Sequence, residues 1–353
     1  MNPRQSAILV ALTAAALFGA ATPLAKALIG AMSPFMVAGL FYLGSGIGLG
    51  TGILLRRLSS RGGVAENAAP LRRADLPWLA GAIAAGGIAG PALLMLGLST
   101  TPAATSALLL NLEGVLTAVI AWVVFRENVD VQVLLGMLAI VAGGTLLSWS
   151  PGHASVTAGA LLIAGACLCW AIDNNLTRKV AANDAMIIAC VKGLVAGPVN
   201  IGIALAGGAT LPAVPVAAAA MLTGLGGYGI SLVLFVVALR HLGSARTGAY
   251  FSVAPLFGVV LSLLIWPVLP SFAFWIAAAL MALGIWLHVR ERHEHEHTHE
   301  PLAHTHRHRH DEHHQHTHDF PYDDDEPHTH PHVHLPITHS HAHFPDIHHR
   351  HRH

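Results

Sequence analysis

TPAATSALLLNLEGVLTAVIAWVVFRE, Thr101 to Glu127, decides how the chain is read. About twenty of its residues are apolar enough to cross the hydrocarbon core of a bilayer. One carboxylate, Glu113, stands near the middle. An ionisable group at that depth costs roughly 2.5–3.5 kcal/mol on insertion scales, so it persists only where it faces the protein interior or a wet cavity. On a continuous helix, Ser106, Glu113 and Thr117 fall on one face at i−7, i and i+4, and Asn111 points elsewhere. This polar stripe reads as a substrate- or proton-binding site. The competing reading is an interhelical hydrogen bond that holds a bundle together.

Working outward, the rest of the chain is equally apolar: 54% of its 353 residues are hydrophobic, 11% are charged, and the mean hydropathy is +0.57. That composition excludes an ordinary water-soluble domain. The charge is segregated. Residues 1–292 hold 15 of the 19 Lys and Arg and 8 of the 19 Asp and Glu, a balance of +7; residues 293–353 hold the other 4 and 11, a balance of −7, with 23 of the 26 His. Cys167, Cys169 and Cys190 lie in apolar segments, which gives no disulfide framework. Cys-x-Cys on a helix points to opposite sides, which disfavours a thiolate metal site. The N-terminus looks like a signal peptide, but its apolar run continues to Leu28, long enough to be the first membrane span.

Ten apolar segments follow one another: 6–29, 34–55, 76–98, 102–125, 131–149, 156–175, 185–206, 215–239, 245–267 and 272–289. The expected fold is an all-α membrane protein of ten transmembrane helices. Arg56, Arg57, Arg61, Arg72, Arg73, Arg126, Arg178, Lys179, Arg240, Arg290 and Arg292 fall on one side of the membrane if the N-terminus is cytoplasmic, and Lys26 is the exception. The positive-inside rule then places the protein in the cell inner membrane with both termini in the cytoplasm. The body also repeats. LFGAATPLAKAL (17–28) aligns with CWAIDNNLTRKV (169–180), and 105–148 aligns with 246–289. Residues 1–150 and 151–292 are read as two five-helix repeats. An odd number of spans per repeat requires opposite insertion, the inverted-repeat plan of secondary transporters.

Gly44, Gly48 and Gly52 form one smooth helix face, as do the pairs Gly86/Gly90 and Gly193/Gly197; they read as close packing or as a sliding surface. Pro23, Pro91, Pro198 and Pro255 are expected to kink or break their spans and to free carbonyls. Asp173 and Lys192, on adjacent spans near the cytoplasmic end, read as either a structural ion pair or a gate. Asn174 and Asn175 are candidates to cap an interrupted helix, and Trp170 to line a cavity.

Ten spans in two inverted five-helix halves, with a fourth span ending in FRE, resemble the drug/metabolite transporter superfamily, EamA type. The resemblance covers about residues 6–290 and implies movement of a small metabolite, proton-coupled or by exchange. Glu127 matches a Glu the family often carries after the fourth helix; its second copy would fall at Val268 and is missing. Pro255 matches the family's proline in the ninth helix, where the fourth has Glu113–Gly114. The fold hosts many substrates and names none.

From His293 the chain turns to HEHEHTHEPLAHTHRHRHDEHHQHTH and a Pro-rich continuation. Too few apolar residues remain to build a core, so residues 293–353 are expected to be a disordered cytoplasmic tail. Its imidazoles (His293, His295, His297, His299, His304, His306, His308, His310, His313, His314, His316 and His318) are suited to Ni, Zn, Co or Cu with little geometric selection. Metal binding, a transport-irrelevant extension and a pH sensor remain open as its purpose. No nucleotide loop, triad spacing or cofactor motif points to an enzyme, and no cofactor is required. The expected partners are the lipid bilayer, a small-molecule substrate and transition-metal ions at the tail, without nucleic acid; a homodimer is left open. The function expected is secondary transport by alternating access. The first alternative is a divalent transition-metal transporter or efflux protein fed by the tail; the second is a membrane-anchored metal buffer.

Overall fold

The computed structural model of the protein describes residues 3–59, 73–125, 131–148, 157–177, 184–242, 247 and 250–289, and in the tail 293–298, 302–308, 328–334 and 338–343. The membrane body is helical. It runs α1 (Pro3–Ile29), α2 (Pro34–Ser59), α3 (Leu76–Ala82), a π-helical turn (Ile83–Ala89) and α4 (Gly90–Thr100). Next come α5 (Ala103–Leu109), α6 (Leu112–Phe125) and α7 (Val131–Ser148). Then follow α8 (Ala158–Thr177), α9 (Ala185–Ala206), α10 (Val214–Gly224), a second π turn (Leu225–Ile230) and α11 (Ser231–Leu242). The body ends with α12 (Ala254–Ile265) and α13 (Phe272–Val289). Glu127 and most of the 56–75 loop lie outside the described residues.

Among the described residues, eight helical stretches are long and apolar enough to cross a membrane, from Gln5–Ile29 to Val214–Ala238. The segments expected as ninth and tenth spans contain the shorter apolar helices Ala254–Ile265 and Phe272–Leu287. Large apolar side chains lie exposed along many helices, among them Leu222 at 68%, Leu264 at 74% and Phe272 at 80%. Such a surface is unsustainable in water and suits lipid.

The packing pairs reveal the repeat. Helix α2 runs along α9, and α7 along α13; α4 crosses α8 as α11 crosses α1; α6 lies against α8 as α12 lies against α1; and the second π turn meets α2 as the first π turn meets α9. Exchanging the segments of one half for those of the other maps these pairs onto themselves. Most of the extensive contacts therefore join the halves rather than stay within one. The largest buried side chains, including Met36, Phe41, Leu94, Met95, Leu98 and Ile163, sit where α2, α4 and α8 meet.

Glycine lets the α2–α9 backbones touch. A Cβ on Gly193 would lie 2.5 Å from the Gly46 nitrogen, and one on Gly197 2.7 Å from the Leu43 nitrogen. On the opposite face of α2, Gly44 abuts the Met221 carbonyl and Gly48 abuts Leu225, while Gly52 has nothing within 4 Å. Two of the three glycines of the expected smooth face are thus close-packed. Helices α1 and α9 continue through Pro23 and Pro198, whereas Pro91 directly follows a π turn and Pro255 opens a new helix. Lys26, the exception to the charge bias, donates from Nζ to the carbonyls of Leu98 and Ser99 at the C-terminus of α4. A cation belongs there, where the last carbonyls lack helical partners.

The tail, residues 292–353, is a separate unit. Within its described residues, β1 (His293–Thr298) pairs antiparallel with β4 (Thr338–His343), and β2 (Leu302–His308) with β3 (His328–His334). The period-2 alternation His-x-His matches the strand repeat. The registers set His295 opposite His341, His297 opposite His339, His304 opposite His332 and His306 opposite His330.

Candidate functional site

The fourth apolar segment is not one helix. It breaks between α5 and α6 at Leu110–Asn111, where Asn111 Nδ2 takes the Leu108 carbonyl at 2.8 Å and the backbone N–H of Asn111 reaches the same oxygen at 3.1 Å. A short amide side chain that competes for helix carbonyls ends a helix in this way. The break puts Glu113 in the first turn of α6, where the helix dipole favours a carboxylate. The second half breaks at the equivalent level by other means: Ser252 and Val253 form a turn and Pro255 starts α12.

Glu113 and Thr117, on one face as the spacing predicts, are tied together by a residue from the other half. Asn174 Nδ2 on α8 donates to Glu113 Oε1 at 2.9 Å and to Thr117 Oγ1 at 3.3 Å. Asn175 Nδ2 reaches the Thr117 carbonyl at 3.3 Å and the Ala171 carbonyl at 2.9 Å. The two asparagines therefore pin α8 to α6; they do not cap an interrupted helix, since α8 continues to Thr177. Ser106 does not join this group. It is fully buried, and its hydroxyl donates to Pro102 O at 3.0 Å within its own turn. The break at Leu110–Asn111 ends the continuous helix that the i−7 relation assumed. Asn111 points away from Glu113, as expected, toward Met281 Sδ at 3.8 Å.

Asp173 and Lys192 do meet. Lys192 Nζ lies 2.5 Å from Asp173 Oδ1, with the two side chains 14% and 11% exposed. Thr177 closes the group, donating to Asp173 Oδ1 at 2.8 Å and accepting from Lys192 at 3.0 Å. Trp170, Asp173, Asn174 and Thr177 fall at i, i+3, i+4 and i+7, so one face of α8 carries both the ion pair and the contact to Glu113. Asp173 also rests on the first π turn: a Cβ on Gly86 would lie 1.9 Å from Asp173 Oδ2.

That turn is the part of the site that sequence reasoning missed. In an α ladder the N–H of residue 91 would bond the Gly87 carbonyl, and in a π ladder the Gly86 carbonyl. Pro91 has no N–H. Side chains from three helices take its place: Tyr42 Oη donates to Gly86 O at 2.7 Å, Trp170 Nε1 to Gly86 O at 2.9 Å, and Asn200 Nδ2 to Gly87 O at 3.1 Å. The second π turn keeps its own bond. Setting GGIAGP (86–91) against GGYGIS (226–231) puts Ser231 opposite Pro91, and the Ser231 N–H reaches Gly226 O. Tyr42 bridges the two turns, its ring 5.4 Å from that of Tyr228 in the second turn, which also stacks near Phe18 and Phe41. Tyr42 lies within electrostatic reach of Glu113, Asp173 and Tyr228, and Tyr228 within reach of Glu113. The available signal was the Gly-Gly pair five residues before a proline, together with two of only four tyrosines in the chain.

The description of the EamA-like transporter family matches the sequence twice, over residues 5–149 and 157–290. An uncharacterized transporter of Methanothermobacter thermautotrophicus is 26% identical over 268 residues, which cover 72% of this chain and 77% of that protein. The uncharacterized transporter YyaM of Bacillus subtilis is 24% identical over 209 residues, covering 55% of this chain and 67% of that one. A solved crystal structure superposes with a TM-score of 0.56 at 20% identity, over 80% of this chain and 95% of the other, a likeness of fold alone.

Proposed function

Because the chain belongs to the EamA-like transporter family, we propose that it is a ten-span secondary transporter that moves a small metabolite across the cell inner membrane by alternating access of two inverted halves. Both termini are cytoplasmic in this reading. Glu113 is the group that carries a proton or the substrate's charge, with Thr117 and Asn174 as its partners, and Ser106 has no part in binding. The hydrogen bond from Asn174 to Glu113 supports this assignment most directly, because it joins the second half to the first. A site shared by the two halves opens to alternate sides when they rock against each other. The Asp173–Lys192–Thr177 group serves as the cytoplasmic-side gate: it ties α8 to α9 beside the π turn.

The test is a metabolite-efflux comparison in cells that express the wild type, Glu113→Gln or Asn174→Leu at matched membrane levels. Loss of transport at unchanged protein yield supports the reading. If yield and transport fall in parallel, Glu113 is a structural hydrogen-bonding group.

A second reading concerns the tail, whose strand registers set histidine opposite histidine. Ladders of paired imidazoles suit Ni, Zn, Co or Cu, and the tail is proposed to collect such ions in the cytoplasm. Cellular metal content, measured with the full chain and with a chain stopped after Arg292, tests it. Equal content in the two strains would remove the reading.

A further inference from the structure

The carbonyls of the Pro91 turn are met by side-chain donors, and one of those side chains is left with an unpaired acceptor of its own. Gly86 O is fully used by Tyr42 and Trp170, and Gly87 O accepts Asn200 Nδ2. The other end of that amide, Asn200 Oδ1, has no partner, although Asn200 is 0% exposed. The amide cannot be flipped to cure this, because an oxygen would then face the Gly87 carbonyl oxygen. An unpaired buried acceptor carries a desolvation cost that a folded protein normally avoids. Tyr42 and Asn200 stand on consecutive carbonyls of the same turn, so a hydroxyl donor and the unpaired acceptor belong to the same cluster.

The surroundings specify what would enter. Glu113 and Asp173 contribute carboxylates, the turn contributes carbonyls, and Tyr42, Tyr228, Trp170 and Phe18 contribute ring faces. The nearby cation, Lys192, is already spent on Asp173. Carboxylates, carbonyl oxygens and π faces all present negative ends. A group that is cationic and carries only donors matches them, and a primary ammonium is such a group. A hydroxyl or amide would bring further acceptors, and a quaternary ammonium would bring charge but no donor.

We propose that the Pro91 turn is the ammonium-binding part of the transport site. A primary ammonium donates to Gly86 O in place of Tyr42, and the Tyr42 hydroxyl moves to the unpaired Oδ1 of Asn200. Glu113 supplies the countercharge. Each donor released in this exchange finds an acceptor, and the orphan oxygen is satisfied only in the loaded state. Substrates are thus small molecules with a primary amine, and Asn200 is a specificity-determining residue. The inference rests on the reading of Glu113 as the transport site.

The test uses purified full-length protein in liposomes and three probes of equal charge and similar body: phenethylamine, N,N-dimethylphenethylamine and N,N,N-trimethylphenethylammonium. The primary amine is expected to bind at least about tenfold more tightly than the quaternary one, the loss of one charged hydrogen bond. Asn200→Leu removes the acceptor Tyr42 needs, so it weakens the primary amine about tenfold and leaves the quaternary probe unchanged. Adding Tyr42→Phe to Asn200→Leu restores primary-amine binding, a rescue that a purely structural role for Asn200 does not give. Equal binding of the three probes by the wild type, or of none, overturns the proposal without any variant having to fold. If Glu113→Gln still abolishes binding while the probes are not discriminated, the transport-site reading stands and the ammonium subsite falls. If the probes are discriminated but Glu113→Gln changes nothing, the assignment of Glu113 falls, and with it the countercharge on which the proposal rests.

Discussion

Replacing Gly86 by alanine tests the central contact directly. The added methyl would lie 1.9 Å from Asp173 Oδ2, 2.4 Å from its Cγ and 2.5 Å from its Cβ. A flexible tip can swing aside, but a Cβ is fixed to its backbone, so α8 and the π turn must separate or Asp173 must leave Lys192. The first route overpacks a tight helix contact, at about 1–3 kcal/mol. The second strands a mostly buried ammonium, at about 3–5 kcal/mol when a partner is lost outright. The cheaper route sets the expectation, so Gly86→Ala should cost about 1–3 kcal/mol. Gly52→Ala is the control: nothing lies within 4 Å of its Cβ position, and alanine gains up to about 1 kcal/mol of helix propensity there. Thermal unfolding of the two variants in the same detergent, read beside the wild type, gives the difference. If Gly86→Ala unfolds at or above the temperature of Gly52→Ala, the close seating of Asp173 on the π turn is refuted, and so is the wiring of the ion pair to the site.

Three further outcomes are expected. Asp173→Asn or Lys192→Met alone should destabilise by about 3–5 kcal/mol, and the double variant should recover much of that, because the penalty comes from the unpaired charge; a double variant as unstable as the sum of the singles would deny the pair. Lys26→Met should lower unfolding stability by about 1 kcal/mol, the worth of a typical hydrogen bond at a helix C-terminus, with no effect on substrate selectivity; a change in selectivity would make Lys26 part of the site. Nickel or zinc titrated into the full-length protein should raise β-sheet circular dichroism as imidazole pairs are drawn together, and chelator should reverse it; metal binding with no change in that signal would argue against the paired registers.

The legibility of the fold differs from that of the site for a physical reason. Hydropathy is a sum over about twenty residues, so the helical segments and the two-half organisation could be read without any contact. The site depends on single bonds. Glu113, Thr117, Asp173 and Lys192 could be named because charge and periodicity singled them out, and the structure brings them into two adjacent groups. Ser106 bonds within its own turn, and one amide, Asn111, breaks the continuous helix on which its i−7 relation to Glu113 was drawn. Tyr42, Trp170 and Asn200 converge on one turn from three helices, and no local spacing encodes such a meeting. In the tail, composition carries no strand signal, whereas the His-x-His alternation has the period of a strand.

The two halves share a plan but not a chemistry, and this difference places the site. Both halves interrupt corresponding segments. At the fourth-segment break the first half has Asn111 and Glu113, and the second has Val253 and Pro255. At the π turns the first half has Pro91 and two carbonyls satisfied from outside, while the second has Ser231 and a bond of its own. In each case the second half closes its backbone with backbone or ring geometry, and the first leaves polar atoms for other helices to meet. The helices that meet them include α8 and α9, both from the second half. The polar centre therefore joins acceptors of the first half to Trp170, Asn174 and Asn200 of the second, with Tyr42 the donor that the first half supplies itself. In the alternating-access mechanism proposed above, rocking of the halves would have to break Asn174–Glu113, Trp170–Gly86 and Asn200–Gly87 or carry them along. A substrate that replaced such bonds would lower the barrier to that motion, whereas an empty site would lose each bond it breaks.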